Sequence, residues 1–310
     1  MPAGPPAGVD TGAPLGHRPP VASPPPSGAD ASLVDDEVPA GRGRRRVDPR
    51  LVVAGVLLVA LAAVAVAPGA FTTADPEACD LSDSLRAPSW AHPFGYDLFG
   101  CDYLAQTLYG TRSSLVLAVT VVAGTSVVGL VLGTLAGYVG GALDAVLARL
   151  TDVWSGIPLV LGGIVLLSGS DARGVPQVAL VLIAFSWSPM VLVVRSAVRR
   201  TKERDHVTAA RALGAGPWWL VTRHVLPGAV RPLAVFASAY AGVVVAAEAI
   251  LTFSGVGLAR PTQSWGILLY QAQDRLAEAP HLLVFPALFL VATVLASVLL
   301  GEGLRRPRER

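Results

Sequence analysis

Long apolar runs that are almost free of charged side chains constrain this chain more than any other feature. Six of them lie at about 51–67, 114–139, 153–169, 177–194, 232–252 and 281–300. Each reaches or nearly reaches the roughly 20 residues that an α-helix needs to cross a bilayer. Helices also satisfy their own backbone hydrogen bonds, which lipid cannot do. The sequence therefore predicts an all-α polytopic membrane protein with six transmembrane helices.

Composition supports this class and excludes others. Of the 310 residues, 53% are hydrophobic and only 15% are charged, which is too apolar for a soluble domain of this size. A net charge of +2, without interleaved basic and aromatic residues, argues against nucleic acid as a partner. The single lysine, Lys202, stands between Thr201 and Glu203, so the Gly-Lys-Ser/Thr of a phosphate-binding loop is missing. We expect no P-loop ATP hydrolysis by this chain.

The N-terminal 46 residues differ from the rest. They hold 10 of the 25 prolines and 7 of the 32 glycines and end in Arg42-Gly-Arg-Arg-Arg46. Such a stretch buries too little to fold, so we predict a disordered cytoplasmic tail at 1–46 and a membrane domain at 47–310. Counting Lys and Arg on alternate sides of six spans places 19 on one side and five on the other. The positive-inside rule then puts both termini and the loop after the fourth span in the cytoplasm.

Three glycines recur at four-residue spacing in the second apolar run: Gly129, Gly133 and Gly137. A stripe of small residues lets another helix approach closely. Packing within the chain is the preferred interpretation, and dimerisation or lining of a pore are the alternatives.

The only two cysteines, Cys79 and Cys101, both fall in the predicted external segment 70–112, between the first and second spans. Thiols outside the cytoplasm can be oxidised. Their even number, shared compartment and 22-residue separation favour a disulfide over two unpaired thiols. Two cysteines without a nearby histidine pair do not indicate a metal site.

The cytoplasmic loop 199–228 predicts two short helices. The first ends at Gly214, and the second begins near Pro217, which suits a first helical position, and stops before Pro227. Val207, Ala210 and Leu213 share one face at helical spacing. An exposed helix of this kind is suited to docking in a groove of a cytoplasmic partner.

This loop resembles the EAA loop of ATP-binding cassette importer permeases, whose pattern is Glu-Ala-Ala, three residues, Gly, and later a hydrophobic residue with Pro. The matching residues are Thr208-Ala209-Ala210, then Gly214, and Leu226-Pro227. Thr208 replaces the usual Glu, which removes any charge contact from that position. The resemblance implies that Val207, Leu213 and these residues contact an ATPase.

Further segments are similar to permeases of the dipeptide and oligopeptide type, and the likeness covers about residues 48–305. They are His92-Pro-Phe-Gly-Tyr-Asp-Leu-Phe-Gly-Cys-Asp102, Tyr109-Gly-Thr-Arg-Ser-Ser-Leu115, Gly137-Tyr-Val-Gly-Gly141, Glu248-Ala-Ile-Leu-Thr-Phe-Ser-Gly-Val-Gly257, Pro261-Thr-Gln-Ser-Trp-Gly266 and Gly301-Glu-Gly-Leu304. Tyr96 and Cys101 depart from the usual Thr and Arg. The resemblance implies a type I importer permease core.

The resemblance implies that this chain is a non-catalytic subunit in the bacterial plasma membrane and forms half of a translocation path. Its partners would be a second, homologous permease, two cytoplasmic ATPase subunits or domains, and an external binding protein that delivers the peptide. No cofactor is expected in this chain, because the ATPases bind the ATP. Related permeases carry nickel complexes or other small solutes, so those cargoes stay open, as does a non-transporting scaffold.

Glu248 is the one acidic residue well inside a predicted span. Acids are costly in lipid, which suggests a role. Because Glu248 lies near the outer end of the fifth span, we expect it to hold loop or helix ends by hydrogen bonds. Gate or path lining is the alternative, and an ion-coupled secondary transporter would also need such a residue.

Overall fold

The structure is a computed structural model and describes residues 48–170 and 172–305, so the predicted tail at 1–46 lies outside it. Its helices are α1 Pro49–Val66, α2 Tyr103–Val139, α3 Gly141–Ser155, α4 Leu159–Ser168, α5 Val175–Ser186, α6 Ser188–Lys202, α7 Asp205–Ala212, α8 Pro217–Leu220, α9 Leu226–Phe253, α10 Trp265–Ala272 and α11 His281–Leu304. No β-strand occurs in the described residues. The all-α prediction is confirmed.

Four helical stretches are long and apolar enough to cross a membrane: Pro49–Val66, Tyr103–Val139, Pro217–Phe253 and His281–Leu304. Two bent pairs raise the number to six if each pair is one span, namely α3 with α4, bent by 76°, and α5 with α6, bent by 50°. The predicted span 153–169 is therefore not one straight helix. Pro158 disfavours helical backbone at the residue before it, and Pro189 has no N–H to continue the α5 ladder.

Helix α2 begins earlier than the apolar run that predicted it. Asp102 caps it, with Oδ1 accepting from the N–H of Ala105 at 2.8 Å. Its first turns carry buried polar side chains, including Gln106, Thr107 and Thr111. The predicted external segment 70–112 thus contains a helical part from Tyr103 onward, and the loop before it, residues 67–102, is named the excursion below.

The glycine stripe of α2 packs against α6. A Cβ at Gly129 would lie 2.6 Å from Met190 Cβ, and one at Gly133 would lie 2.8 Å from Val194 Cβ. At Gly137 the nearest atom would be Val198 Cγ1, also at 2.8 Å. The preferred interpretation of this stripe, packing within the chain, is confirmed.

The two ends of the helical bundle differ. The excursion end carries residues 67–102, and Tyr103 Oη donates there to the carbonyl of Leu282 at the start of α11. The opposite end, named the loop end, carries the α6–α9 connection. At this end, Arg50 at the start of α1 forms an ion pair at 3.1 Å with Glu302 near the end of α11. The described chain therefore begins and ends at the loop end.

Cys79 and Cys101 form a disulfide, as the sequence predicted. The excursion has local support as well. Asp102 Oδ2 pairs with His92 Nδ1 at 2.6 Å, and the Ser82 N–H donates to Asp80 Oδ1 at 2.9 Å. The hydrogen bond from Ser82 lowers the pKa of the Asp80 carboxyl below its ordinary value. Regular secondary structure is scarce here, so the cross-link is a main constraint on the loop.

Replacing both cysteines by serine should loosen the excursion without removing the chain from the membrane. A disulfide that closes a loop of this length raises the free energy of the unfolded segment by about 3 kcal/mol. We expect protease added to the detergent-solubilised protein to cut the excursion about tenfold faster in Cys79→Ser/Cys101→Ser, measured on gels by the fragments that arise from cuts within residues 67–102. Thr73→Ala, an exposed change in the same loop, is the control. Equal cleavage of wild type and double variant would contradict this expectation.

Candidate functional site: the connection between α6 and α9

Helix α6 is anchored at the loop end before the connection begins. Lys202 Nζ donates to the carbonyls of Gly137 at 3.3 Å and Tyr138 at 3.1 Å, which caps the C-terminus of α2. Arg199, Arg200 and Lys202 occupy the last turn of α6, where cations complement the helix dipole. The base of α6 is therefore fixed to α2.

A second anchor joins α6 to α3. Arg195 donates from Nε to Asp144 Oδ1, and from Nη2 to Asp144 Oδ2 at 2.8 Å, in the two-point geometry that carboxylates and guanidinium groups favour. Arg199 Nη1 lies 3.7 Å from the same carboxylate. The Asp144 side chain is only 14% exposed, so water screens this pair less than a surface pair. Helix α6 is thus joined to α2 through Lys202 and to α3 through Arg195.

Helix α7 corrects the prediction of one exposed apolar face. Val207 is completely buried and belongs to a cluster of loop-end residues from α6, α8 and α9. Ala210 is half-buried against that cluster, whereas Leu213 is 89% exposed. The face is split because the helix uses its first turn to pack on its own protein. Thr208, Ala209 and Leu213 remain accessible to a partner.

Gly214 ends α7 in a Schellman motif. The N–H of Ala215 donates to the carbonyl of Ala210 at 3.1 Å, and the N–H of Gly214 donates to that of Arg211 at 3.0 Å. Gly214 has φ +88°, where a side chain is strained, although a Cβ there would meet no atom within 4 Å. The glycine is required by backbone conformation and not by crowding.

The second predicted helix does not stop before Pro227. Helix α8 passes through one π-helical turn, Val221–Val225, directly into α9. Pro227 has no N–H and its ring would clash with the carbonyl four residues back, which a wider turn avoids. Gly228 lies just beyond, close to Thr201 of α6. The proline marks a change of helical pitch at the base of the fifth span, where the sequence predicted a break.

Two exposed aromatic side chains in this connection were not among the contact residues predicted from the sequence. Trp218 is 80% exposed and Trp219 is 48% exposed, and the Trp219 ring lies 4.7 Å from that of His224. Adjacent tryptophans in an otherwise polar loop were the available signal, because large exposed aromatics mark interaction surfaces. We name Thr208, Ala209, Leu213 and Trp218 the loop face. Leu226, in contrast, is half-buried at the start of α9.

Glu248 lies far from this connection, buried at the excursion end of α9. Its Oε1 accepts from Thr252 Oγ1 at 2.9 Å and from Ser264 Oγ at 3.3 Å. Thr252 Oγ1 in turn accepts from the N–H of Leu258 at 3.0 Å, and a Cβ at Gly266 would lie 2.9 Å from Glu248 Oε1. These bonds join α9 to the segment that leads into α10. No group of three or more metal-ligating side chains converges among residues 48–170 and 172–305.

Comparison with known proteins agrees with this architecture. Residues 129–306 match the family described as "Binding-protein-dependent transport system inner membrane component". The glutathione transport system permease protein GsiD of Pectobacterium atrosepticum is 35% identical over 255 residues, covering 82% of this chain and 84% of that protein. A putative peptide transport system permease protein of Brucella suis is 34% identical over 272 residues, covering 86% and 88%.

A solved structure shows the same fold. A chain of the inward-facing MetNI methionine ABC transporter aligns with a TM-score of 0.51 at 18% identity, covering 65% of this chain and 97% of that one. The predicted type I importer fold is confirmed. By its sequence profile and its relatives, the chain belongs to the family of binding-protein-dependent transport inner membrane components, the permeases of ATP-binding cassette importers.

Proposed function

We propose that this permease imports dipeptides and oligopeptides and that the α6–α9 connection couples it to cytoplasmic ATPase subunits. The observation that carries the coupling role is that α7 is anchored through the buried Val207, while Thr208, Ala209 and Leu213 of the loop face are exposed beside it. The peptide cargo is supported by the relatives, which are named for peptide and glutathione transport, glutathione being a tripeptide. Nickel complexes or other small solutes are the alternative cargo.

In this mechanism the ATPase pair closes on ATP and displaces α7 as a rigid body. Val207 transfers the displacement to the buried cluster between α6 and α9, because close-packed side chains move together. The Lys202 and Asp144–Arg195 contacts carry it on to α2 and α3. The spans then alternate between inward-facing and outward-facing arrangements. This chain contributes the passage and the contact surface, and ATP is bound and hydrolysed by its partners.

The proposed assembly contains a second, homologous permease, two ATPase subunits or domains and an external binding protein, in the bilayer of a bacterial plasma membrane. The excess of arginine at the loop end supports a cytoplasmic location for that end and for both termini. The excursion would then face the binding protein.

The experiment that tests the assembly is purification of the tagged chain in mild detergent, followed by mass spectrometry of co-purifying proteins and an ATP hydrolysis assay on the same sample. A second permease and ATPase subunits are expected, with hydrolysis of ATP. Recovery of the chain alone, without ATPase activity, would leave the loop face without its partner and favour an ion-coupled transporter.

Substitution of Glu248 separates a structural from a proton-carrying role. In Glu248→Gln an amide oxygen can still accept from Thr252 and Ser264, so uptake should stay within about twofold of wild type. Glu248→Ala leaves both hydroxyls without their acceptor at a buried site, which costs about 1–3 kcal/mol and should lower the amount of folded protein. Uptake and folded yield are measured for both variants. A folded Glu248→Gln protein without uptake would contradict the structural role and favour gate lining or proton coupling.

A further inference from the structure

A cavity of about 990 Å³ opens between α6, α9 and α11 at the loop end. It lies apart from the loop face and from Glu248. All three helices contribute to its lining, which combines arginines, one glutamate and one serine with apolar side chains. Nothing in the coupling mechanism uses this space.

Three arginines give the cavity a positive rim: Arg200, Arg231 and Arg305. Among the described residues, none of their guanidinium groups lies within 4 Å of a carboxylate. The one acidic lining residue, Glu302, is engaged by Arg50 at 3.1 Å. The rim therefore presents three cationic groups whose charge the described part of the chain does not neutralise by ion pairing. Guanidinium groups suit phosphate because they can donate two parallel hydrogen bonds.

The apolar wall lies deeper, in the same order on each helix. Val193 precedes Arg200 by seven residues on α6. Val298 lies six residues before the end of α11 at Leu304, and Arg305 follows directly after that helix. On α9, which runs the other way, Ala239 follows Arg231 by eight. At 1.5 Å per residue, Arg200 and Arg231 stand about 10–12 Å nearer the loop end than these apolar residues on their helices. Arg305 lies just beyond the loop end of α11.

A positive rim above an apolar wall matches one class of ligand. We propose that the cavity binds an anionic phospholipid, with its phosphate among Arg200, Arg231 and Arg305 and an acyl chain along Val193, Val235, Phe236 and Val298. A free phosphate would satisfy the rim and leave the apolar wall unused, whereas a neutral lipid would leave three cations without an anion. Basic pockets between spanning helices are suited to acidic headgroups.

The test uses the complex isolated with its partner subunits and native mass spectrometry. After exchange with dioleoylphosphatidylcholine, dioleoylphosphatidylglycerol is titrated in, alone and with an excess of inorganic phosphate. The wild-type complex should retain phosphatidylglycerol about tenfold more tightly than phosphatidylcholine, and phosphate should not displace it. Equal retention of the two lipids overturns the proposal, and displacement by inorganic phosphate assigns the rim to a soluble anion instead.

Two variants locate the lipid. Arg200→Gln/Arg231→Gln/Arg305→Gln should abolish the preference for phosphatidylglycerol. Arg86→Gln/Arg112→Gln/Arg149→Gln removes the same charge from exposed arginines outside both the cavity lining and the α6–α9 connection, and should retain the preference. If the first variant does not assemble, Ser196→Trp fills the cavity while keeping every arginine and should also release the lipid. Retention by either cavity variant, or equal loss in the control, overturns the proposal.

Discussion

Replacing Gly214 by valine is expected to lower ATP-driven uptake about tenfold or more while the chain stays in the membrane. At φ +88° a residue with a Cβ costs about 1–2 kcal/mol, and a β-branched one costs more. The Schellman motif would open, and the end of α7 with Leu213 would change direction. ATP hydrolysis should persist because the ATPases are unaltered, so the ratio of peptide imported to ATP hydrolysed is the quantity to measure in proteoliposomes.

Gly216 provides the matched control two residues away. It is also exposed with no atom within 4 Å of a built Cβ, but its φ is −68° and its ψ is 155°, a conformation that valine adopts readily. Gly216→Val should therefore import normally. Unaltered uptake in Gly214→Val would show that the geometry of this turn does not matter for coupling.

Replacing Gly133 by valine is expected to cause the largest loss of folded protein. Its Cβ would lie 2.8 Å from both the Val191 carbonyl oxygen and Val194 Cβ, and 3.0 Å from the Arg195 amide nitrogen. Two of these three atoms are backbone, so side-chain rotation cannot relieve the clash and α2 must move away from α6. Overpacking of this kind costs about 1–3 kcal/mol, enough to change abundance several-fold.

The measurement is the amount of monodisperse protein by fluorescence-detected gel filtration, together with its midpoint of thermal unfolding. Gly55→Val is the control, because Gly55 also lies within an apolar helix but a Cβ there would meet no atom within 4 Å. It should retain wild-type yield. Equal yield from Gly133→Val and Gly55→Val would mean that α2 and α6 do not pack as closely as the structure has them.

Hydropathy alone predicts the helical class, because the cost of an unpaired backbone in lipid leaves few alternatives. The glycine stripe also predicts close packing, although it does not identify α6 as the neighbour. Cys79 and Cys101 are paired as their number and compartment suggested. These features are local in sequence or follow from one dominant energy term.

Features set by tertiary contacts were not predictable in the same way. The polar start of α2 is helical because Asp102 caps it and other elements bury it, which no apolar run reveals. Val207 and Leu213 look equivalent by helical spacing, yet only Val207 meets the α6–α9 cluster. The continuation of α8 through Pro227 depends on a π-helical turn, which carries no simple sequence pattern.

The proposed coupling predicts which energy source drives transport, and uptake into proteoliposomes measures this directly. The complex is reconstituted with its binding protein, and labelled dipeptide or oligopeptide is placed on the excursion side. Import should require ATP on the loop side and persist when an ionophore abolishes the proton gradient. Import that continues without ATP and stops with the ionophore would contradict the coupling role of the α6–α9 connection.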